Sequence, residues 1–502
     1  MSAVNAHAYP ALSAPMNLCI SGEYRPSKNS ETFAVKNPMT GETLYDCASA
    51  SIDDYAAAIE EAHAAYLVWS RQGPSARRIV LNKAADILQS YLEKDAPEVL
   101  AAEVAATRTW VKQNIFAACG FLRDAASMAT HIKGEILPAD RPHTTILVNR
   151  EAVGVVLAVS PWNVPVGLTA RAIACALICG NALLLKPSEF SPKSQHLVVR
   201  ALAEAGLPRG CLQFLPTSPA ATPAATAFTI AHPKVSRVNF TGSHRVGNII
   251  AGLCAQAIKP CLLELGGKAA VLVLADADVD AAVDAVAFGA MSNNGQICMS
   301  TERAIVHRGL AAEFKAKLVQ RVEALRVGNH LEDPEVQLSA LCQPAAAARI
   351  LALIKSAVAA GAQVLTGDQT AHGANKTMLR PHVVAGVTPA MELYQQETFG
   401  PVVALTEFDD EEEGIALTND TEYTLAGSVF SRDVMRAMAV AKRVRVGSCH
   451  VNGPTVYVEA PLPNGGIGGH SGYGRFGGMA GVEQFTERKI VTLASPGMQY
   501  VV

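Results

Sequence analysis

Three side chains capable of carbonyl chemistry stand where apolar, strand-like runs give way to glycine- or proline-containing loops. Glu264 closes the run Leu262-Leu263 and is followed by Leu265-Gly266-Gly267-Lys268. Cys298 stands in Gly295-Gln296-Ile297-Cys298-Met299-Ser300, after a helix expected over 279–293. Asn163 stands in Ser160-Pro161-Trp162-Asn163-Val164-Pro165, between the apolar run 155–159 and a helical segment. A thiolate attacks a carbonyl carbon, an amide N–H stabilises the developing oxyanion, and a carboxylate activates the water that hydrolyses the thioester. Each residue alone has a plainer reading: a free cysteine is most often a small buried hydrophobe, and a buried glutamate is half of an ion pair. Their joint placement on loops beside strand ends carries the chemical reading. A free thiol has a pKa of about 8.5, so positive charge or dipoles are expected to favour thiolate at Cys298.

The elements that position these residues follow from periodicity. The first 50 residues alternate short apolar runs with turn formers such as Asn37-Pro38 and Thr40-Gly41, which predicts strands joined by hairpin turns. Helices are expected over 52–71, from a Ser75 cap through 92, and over 110–132. From Gly154 onward, non-alternating apolar runs (155–159, 183–185, 212–215, 235–240) are spaced by helical sequence. That pattern predicts a parallel sheet covered on both faces. A second αβ series runs over 262–452, and 144–150 and 487–495 read as extended segments outside it.

Composition removes several classes. With 50% hydrophobic and 17% charged residues, the 502-residue chain is neither disordered nor fibrous. A net charge of −3 argues against nucleic acid as partner. Eleven scattered cysteines without a Cys-x-x-Cys suggest reduced thiols and a cytoplasmic protein. The apolar stretch 172–185 is interrupted by Gly180-Asn181 and is too short for a membrane span. No secretory signal is expected in 1–16, and Gln499-Tyr500-Val501-Val502 is neither a prenylation box nor a peroxisomal address. No His or Cys spacing suggests a metal site.

Six motifs occur in order: Pro161-Trp162-Asn163, Lys186-Pro187-Ser188-Glu189, Phe240-Thr241-Gly242-Ser243, Leu263-Glu264-Leu265-Gly266-Gly267-Lys268, Gly295-Gln296-Ile297-Cys298 and Glu397-Thr398-Phe399-Gly400-Pro401. Together they resemble the aldehyde dehydrogenase superfamily, over about 18–491. The resemblance implies an α/β fold: a Rossmann-like NAD-binding domain (1–140 and 154–263), an α/β catalytic domain (264–480), and a small β oligomerisation arm (141–153 and 481–502). It implies oxidation of a small-molecule aldehyde to the acid through a Cys298 thiohemiacetal and thioester, with Glu264 as base. The oxyanion would be held by Asn163 and the Cys298 backbone N–H. A nicotinamide cofactor would use Gly242, Ser243 and Gly247 at a helix start for its pyrophosphate. Lys186 and Glu189 would hold the adenosine ribose, Glu397 and Phe399 the nicotinamide ribose and ring, and Trp162 would line the phosphate channel. Glu189 would repel a 2′-phosphate, so NAD is expected over NADP. The outer strands imply a homodimer or homotetramer.

The chain departs from the family's usual pattern at Ala269-Ala270, at Asn464, where an aromatic is common, and at Gly468-Gly469-His470. His470 reads as a surface loop residue rather than a ligand. Gly472-Tyr473-Gly474-Arg475-Phe476-Gly477 matches G-x-G-x-x-G but lacks a βαβ context, so it is expected near a subunit contact or an active-site wall. Segments 237–243, 298–303, 450–453 and 472–477 resemble the family branch acting on aromatic aldehydes such as salicylaldehyde, benzaldehyde and vanillin. Aliphatic aldehydes and semialdehydes are the alternative substrates. A CoA-acylating enzyme, which would not need Glu264, is a second alternative, and a non-catalytic binding protein would have lost Cys298. Arg171, in the helix after Asn163, has two readings: a substrate hydroxyl or carboxylate ligand, or the partner of an acidic neighbour.

Overall fold

The structure is a computed structural model that describes residues 11–497. The expectations for 1–10 and 498–502 lie outside those residues. The N-terminal strands are short: Leu18–Ile20, Glu23–Arg25, Thr32–Lys36 and Thr43–Ala48. The first long helix, Ile52–Trp69, starts on a capping box in which Ser51 and Asp54 satisfy each other's backbone N–H groups. The second, Pro74–Ser90, is not capped by Ser75 as expected; Gly73 is the N-cap and Pro74 opens the helix. Proline's fixed φ and missing N–H suit the first helical position, which moves Ser75 inside. The helix expected over 110–132 is Arg108–Ser127, closed by a short 3₁₀ turn.

Five parallel strands form the centre of an eight-stranded sheet: Leu212–Phe214, Ala182–Lys186, Val155–Val159, Val235–Thr241 and Cys261–Glu264, in that spatial order. Every residue of Ala182–Lys186 is buried, as a strand covered on both faces must be. The helix Pro165–Ile178 on one face is almost wholly buried too. Strand order reverses between Val155–Val159 and Val235–Thr241, which opens a crevice at the carboxyl ends of the strands. Asn163, Glu189, Ser243 and Glu264 all follow or end strands of this sheet.

A second, seven-stranded sheet is parallel from His382–Ala385 through Val402–Phe408, Thr301–His307, Ala269–Val273 and Ala426–Phe430 to Ser448–Val451. The chain crosses between the sheets within 265–268. Glu264 therefore ends a strand of one sheet just before Ala269 begins a strand of the other. Cys298 sits shortly before Thr301–His307 starts. The carboxylate and the thiol thus meet in the seam between the sheets.

Thr144–Ala152 pairs antiparallel with Thr486–Ala494 along their full length and with Glu135–Leu137, forming a separate three-stranded sheet. Glu135–Leu137 was expected in the first domain but belongs to this arm by its pairing. Gly472–Tyr473, expected in the catalytic domain, pairs antiparallel with Leu263 and Glu264 at the edge of the first sheet. Among the described residues, no helix is long and apolar enough to cross a membrane. All eleven cysteines are free thiols.

Candidate active site

Glycine makes the meeting of the two loops possible. A Cβ on Gly267 would lie 1.9 Å from the Cys298 carbonyl oxygen, and one on Gly266 would lie 2.5 Å from Glu397 Oε2. Only a residue without a side chain lets these backbones approach so closely. The expected helix before Cys298 ends early, at Met291, and a tight turn over Ser292–Gly295 follows. Asn293 and Asn294 there take left-handed φ values of 49° and 56°, which asparagine tolerates better than most residues. The turn aims the next segment back toward Glu264.

The result is a thiol–carboxylate pair. Cys298 Sγ donates toward Glu264 Oε1 at 3.7 Å. Glu264 Oε2 lies 2.6 Å from Arg171 Nη1, with both side chains buried. The Arg171 N–H vectors do not align with Oε2, so this contact is a charge pair rather than a directed hydrogen bond. Of the two sequence readings of Arg171, the structure realises pairing with an acidic neighbour, and that neighbour is Glu264.

The expected thiolate-favouring environment is not what surrounds Cys298. Cys298 as a residue is partly exposed, yet burial in the surrounding protein pushes the thiol well above its ordinary pKa; Glu264 adds to the rise and Arg171 opposes it. Burial penalises the charged form, and a carboxylate beside it does so again. This environment favours the neutral thiol at Cys298.

Asn163 is buried and its Nδ2 donates to the Gln296 carbonyl at 2.9 Å. An amide NH₂ has two donors, so one N–H is committed to the nucleophile loop and one remains. The Asn163 carbonyl accepts from Trp110 Nε1 at 3.0 Å and from Asn293 Nδ2 at 3.2 Å. Trp110, Asn293 and Gln296 are supporting residues that the sequence reading missed. Trp110 lies 53 positions from Asn163 in the chain, so no local pattern reports the contact.

The remaining sequence-selected residues line the crevice. Ser243 is the N-cap of His244–Gln256, and its hydroxyl makes no capping bond. Gly247 lets that helix close on the Glu264 loop, since a Cβ there would be 2.5 Å from Leu265 Cδ2. A Cβ on Gly242 would be 2.5 Å from the Phe240 ring. Lys186 Nζ lies 3.9 Å from Glu189 Oε2, and burial lowers the lysine's pKa. Trp162 meets Phe399 edge-on, with ring centroids 5.8 Å apart. Glu397 Oε1 accepts from the Gly267 N–H at 2.8 Å, and burial, helped by the Glu302 charge, pushes its carboxyl up to about 8.

Two further residues hold this wall. Glu302 accepts from the N–H groups of Thr398 and Phe399 and pairs with Lys268. Phe399 has φ of 49°, a conformation a bulky residue keeps only when its surroundings impose it. The G-x-G-x-x-G segment 472–477 comes against the site: Phe476 packs its ring 4.3 Å from the Arg171 guanidinium. His470 stacks on His244 with centroids 3.6 Å apart, at the start of the helix behind Ser243.

The site thus combines a helix start without a side-chain cap at the strand-order crevice with a thiol–carboxylate pair at the seam of the two sheets, an arrangement compatible with a dinucleotide-dependent oxidoreductase that works through a thiol. The model of the aldehyde dehydrogenase family matches residues 24–491, and the chain belongs to that family. It is 44% identical to a vanillin dehydrogenase of Pseudomonas fluorescens over 487 residues, 96% of this chain and 98% of that protein. The crystal structure of a salicylaldehyde dehydrogenase from Pseudomonas putida G7 complexed with salicylaldehyde superposes with a TM-score of 0.94 at 40% identity, covering 97% of this chain and 99% of the other. That of PnpE in complex with nicotinamide adenine dinucleotide gives 0.92 at 29% identity, covering 96% and 98%.

Proposed function

We propose that this enzyme oxidises an aromatic aldehyde of the vanillin or salicylaldehyde type to its carboxylic acid with NAD, using Cys298 as nucleophile and Glu264 as base. The 3.7 Å contact between Cys298 Sγ and Glu264 Oε1 carries this reading. Similarity to the vanillin and salicylaldehyde dehydrogenases supports the substrate class.

Cys298 Sγ bonds to the aldehyde carbon as its proton passes to Glu264 Oε1. The carbonyl oxygen gains charge, which the remaining Asn163 N–H and the Cys298 backbone N–H offset. The dinucleotide, when bound, supplies the hydride acceptor. Oxidation leaves an acyl group on Cys298. Glu264 releases the thiol proton to solvent, and the regenerated carboxylate then takes a proton from water as the water oxygen bonds to the acyl carbon; that proton passes on to the departing Cys298 sulfur. The C–S bond breaks, the acid departs, and the thiol is restored.

The crevice fits the dinucleotide. Ser243 and the N–H groups behind Gly242 face a helix start with no internal cap, which suits a pyrophosphate; Gly247 lets this helix approach. Lys186 and Glu189 would hold the adenosine ribose, Glu397 and Phe399 the nicotinamide ribose and ring, with Trp162 along the channel. Glu189 disfavours a 2′-phosphate by like charge. In this reading 11–134 with 154–263 and the edge strand Gly472–Tyr473 binds the dinucleotide, the rest of 264–480 carries the nucleophile, and 135–153 with 481–497 forms the arm. The arm exposes Ile136, Ile490 and Leu493, which supports a homodimer or homotetramer; the reduced thiols fit a cytoplasmic enzyme.

The test follows NADH absorbance with a panel of aldehydes. A higher kcat/KM for a hydroxybenzaldehyde than for acetaldehyde or succinic semialdehyde is expected. A preference of about tenfold the other way would overturn the substrate class. Added coenzyme A should not divert the product to a thioester.

A further inference from the structure

Arg171 is better placed than a structural ion-pair partner needs to be. It lies on the buried helix Pro165–Ile178, which begins two residues after Asn163. Three contacts hold its guanidinium: the Phe476 ring at 4.3 Å, Thr241 Oγ1 at 3.3 Å from Nη2, and Glu264 Oε2 at 2.6 Å from Nη1. Its Nε has no partner. Glu264 is 1% exposed and Oε2 accepts no hydrogen bond, so the Arg171 charge is what compensates that oxygen. The other oxygen, Oε1, is the one aimed at Cys298.

From this geometry we infer that Arg171 is the positioning residue for the general base, anchoring Glu264 through Oε2 so that Oε1 serves the hydrolysis of the acyl group on Cys298. The inference rests on the proposed roles of Cys298 and Glu264. A buried carboxylate stripped of its compensating charge turns toward water or takes up a proton, and either removes the base from the acyl carbon. Held through Oε2, the carboxylate keeps Oε1 on the Cys298 side, where it faces the thiol and then the water that attacks the acyl group. The balance is simple: water gives a proton to Oε1 and its oxygen to the acyl carbon, the C–S bond breaks, and Cys298 regains the proton.

The test uses 4-nitrophenyl acetate without cofactor, since acyl transfer to Cys298 releases one 4-nitrophenolate and further release requires deacylation. In Arg171→Gln the first equivalent should appear as a burst of about one per site, followed by turnover roughly 10- to 100-fold slower than wild type per burst-competent site, the range expected for losing one charged contact. Arg171→Lys should recover part of the post-burst rate. Counting the burst corrects for any misfolded fraction. An unchanged post-burst rate would overturn the inference, as would a slowed burst with normal later turnover, which would place the arginine's effect on the thiol. Failure of the underlying roles looks different: wild type would release no 4-nitrophenolate, or Cys298→Ala would release as much as wild type.

Discussion

Lys268 Nζ lies 2.6 Å from Glu302 Oε2, with both side chains buried, and this pair ties the loop after Glu264 to the loop that carries Glu397 and Phe399. Glu302 also accepts from the Thr398 N–H at 2.8 Å and the Phe399 N–H at 2.9 Å. Burial lowers the Lys268 pKa and the Glu302 charge opposes that shift. Removing one partner strands the other charge. Lys268→Met should lose about 3–5 kcal/mol of stability in chemical denaturation. The surviving folded fraction should bind the dinucleotide more weakly, because the 398–399 backbone loses its anchor.

Glu397 gives a pH dependence with a definite sign. Burial and then Glu302 push its carboxyl up to about 8, above the ordinary 4.5. Ribose hydroxyls donate best to the ionised form, so binding expels the proton. Dinucleotide affinity should rise by at most about tenfold per pH unit up to pH ~8 and level off above it. Fluorescence titration of NADH binding checks this, and Glu397→Gln should flatten the profile. Through the same group, folding stability should fall as pH rises from 4.5 to 8, because the folded chain keeps a proton that the unfolded chain releases.

Glu189 is partly exposed beside Lys186 at the end of Ala182–Lys186. In the proposed site Glu189→Gln removes the charge that would oppose a 2′-phosphate. The ratio of kcat/KM for NADP to that for NAD should rise by about tenfold, measured with one aldehyde at saturation.

Gly267 has no room for a methyl group, because its Cβ would sit 1.9 Å from the Cys298 carbonyl oxygen. Gly267→Ala must move one of the two loops. A loss of about 1–3 kcal/mol in stability is expected from the strain. A kcat reduction of about 100-fold is expected from displacement of the thiol. Wild-type kcat in this variant would refute the close approach.

Asn163 gives one N–H to the Gln296 carbonyl and has one left. Asn163→Ala should lower kcat by about 10²–10³-fold through loss of the proposed oxyanion donor, with dinucleotide affinity largely preserved. Stopped-flow NADH formation separates this from slow deacylation, since the first turnover itself should slow.

Much of the frame was legible because it is local. Non-alternating apolar runs marked the buried parallel strands, and Val155–Val159 and Val235–Thr241 lie within a residue of the runs that predicted them. Ser51 with Asp54 carries its own helix-start signal. Ser75 misled because a capping residue is recognised by type, whereas Pro74 decided the start by backbone geometry. The short helix Ala96–Val104 has no distinctive periodicity and was not anticipated.

Residue types and order by themselves marked the candidates for the chemistry, Cys298, Glu264 and Asn163 on loops at strand ends, and the glycines where backbones must touch. Those properties are carried by each residue and its immediate neighbours. Tertiary structure decided what each group is paired with. It joined Arg171 to Glu264 across 93 positions and Phe476 to Arg171, spent one N–H of Asn163 on Gln296, and made the Cys298 environment favour the thiol. Charge pairing and desolvation depend on distances between segments remote in the chain, and only packing of the two sheets sets those distances.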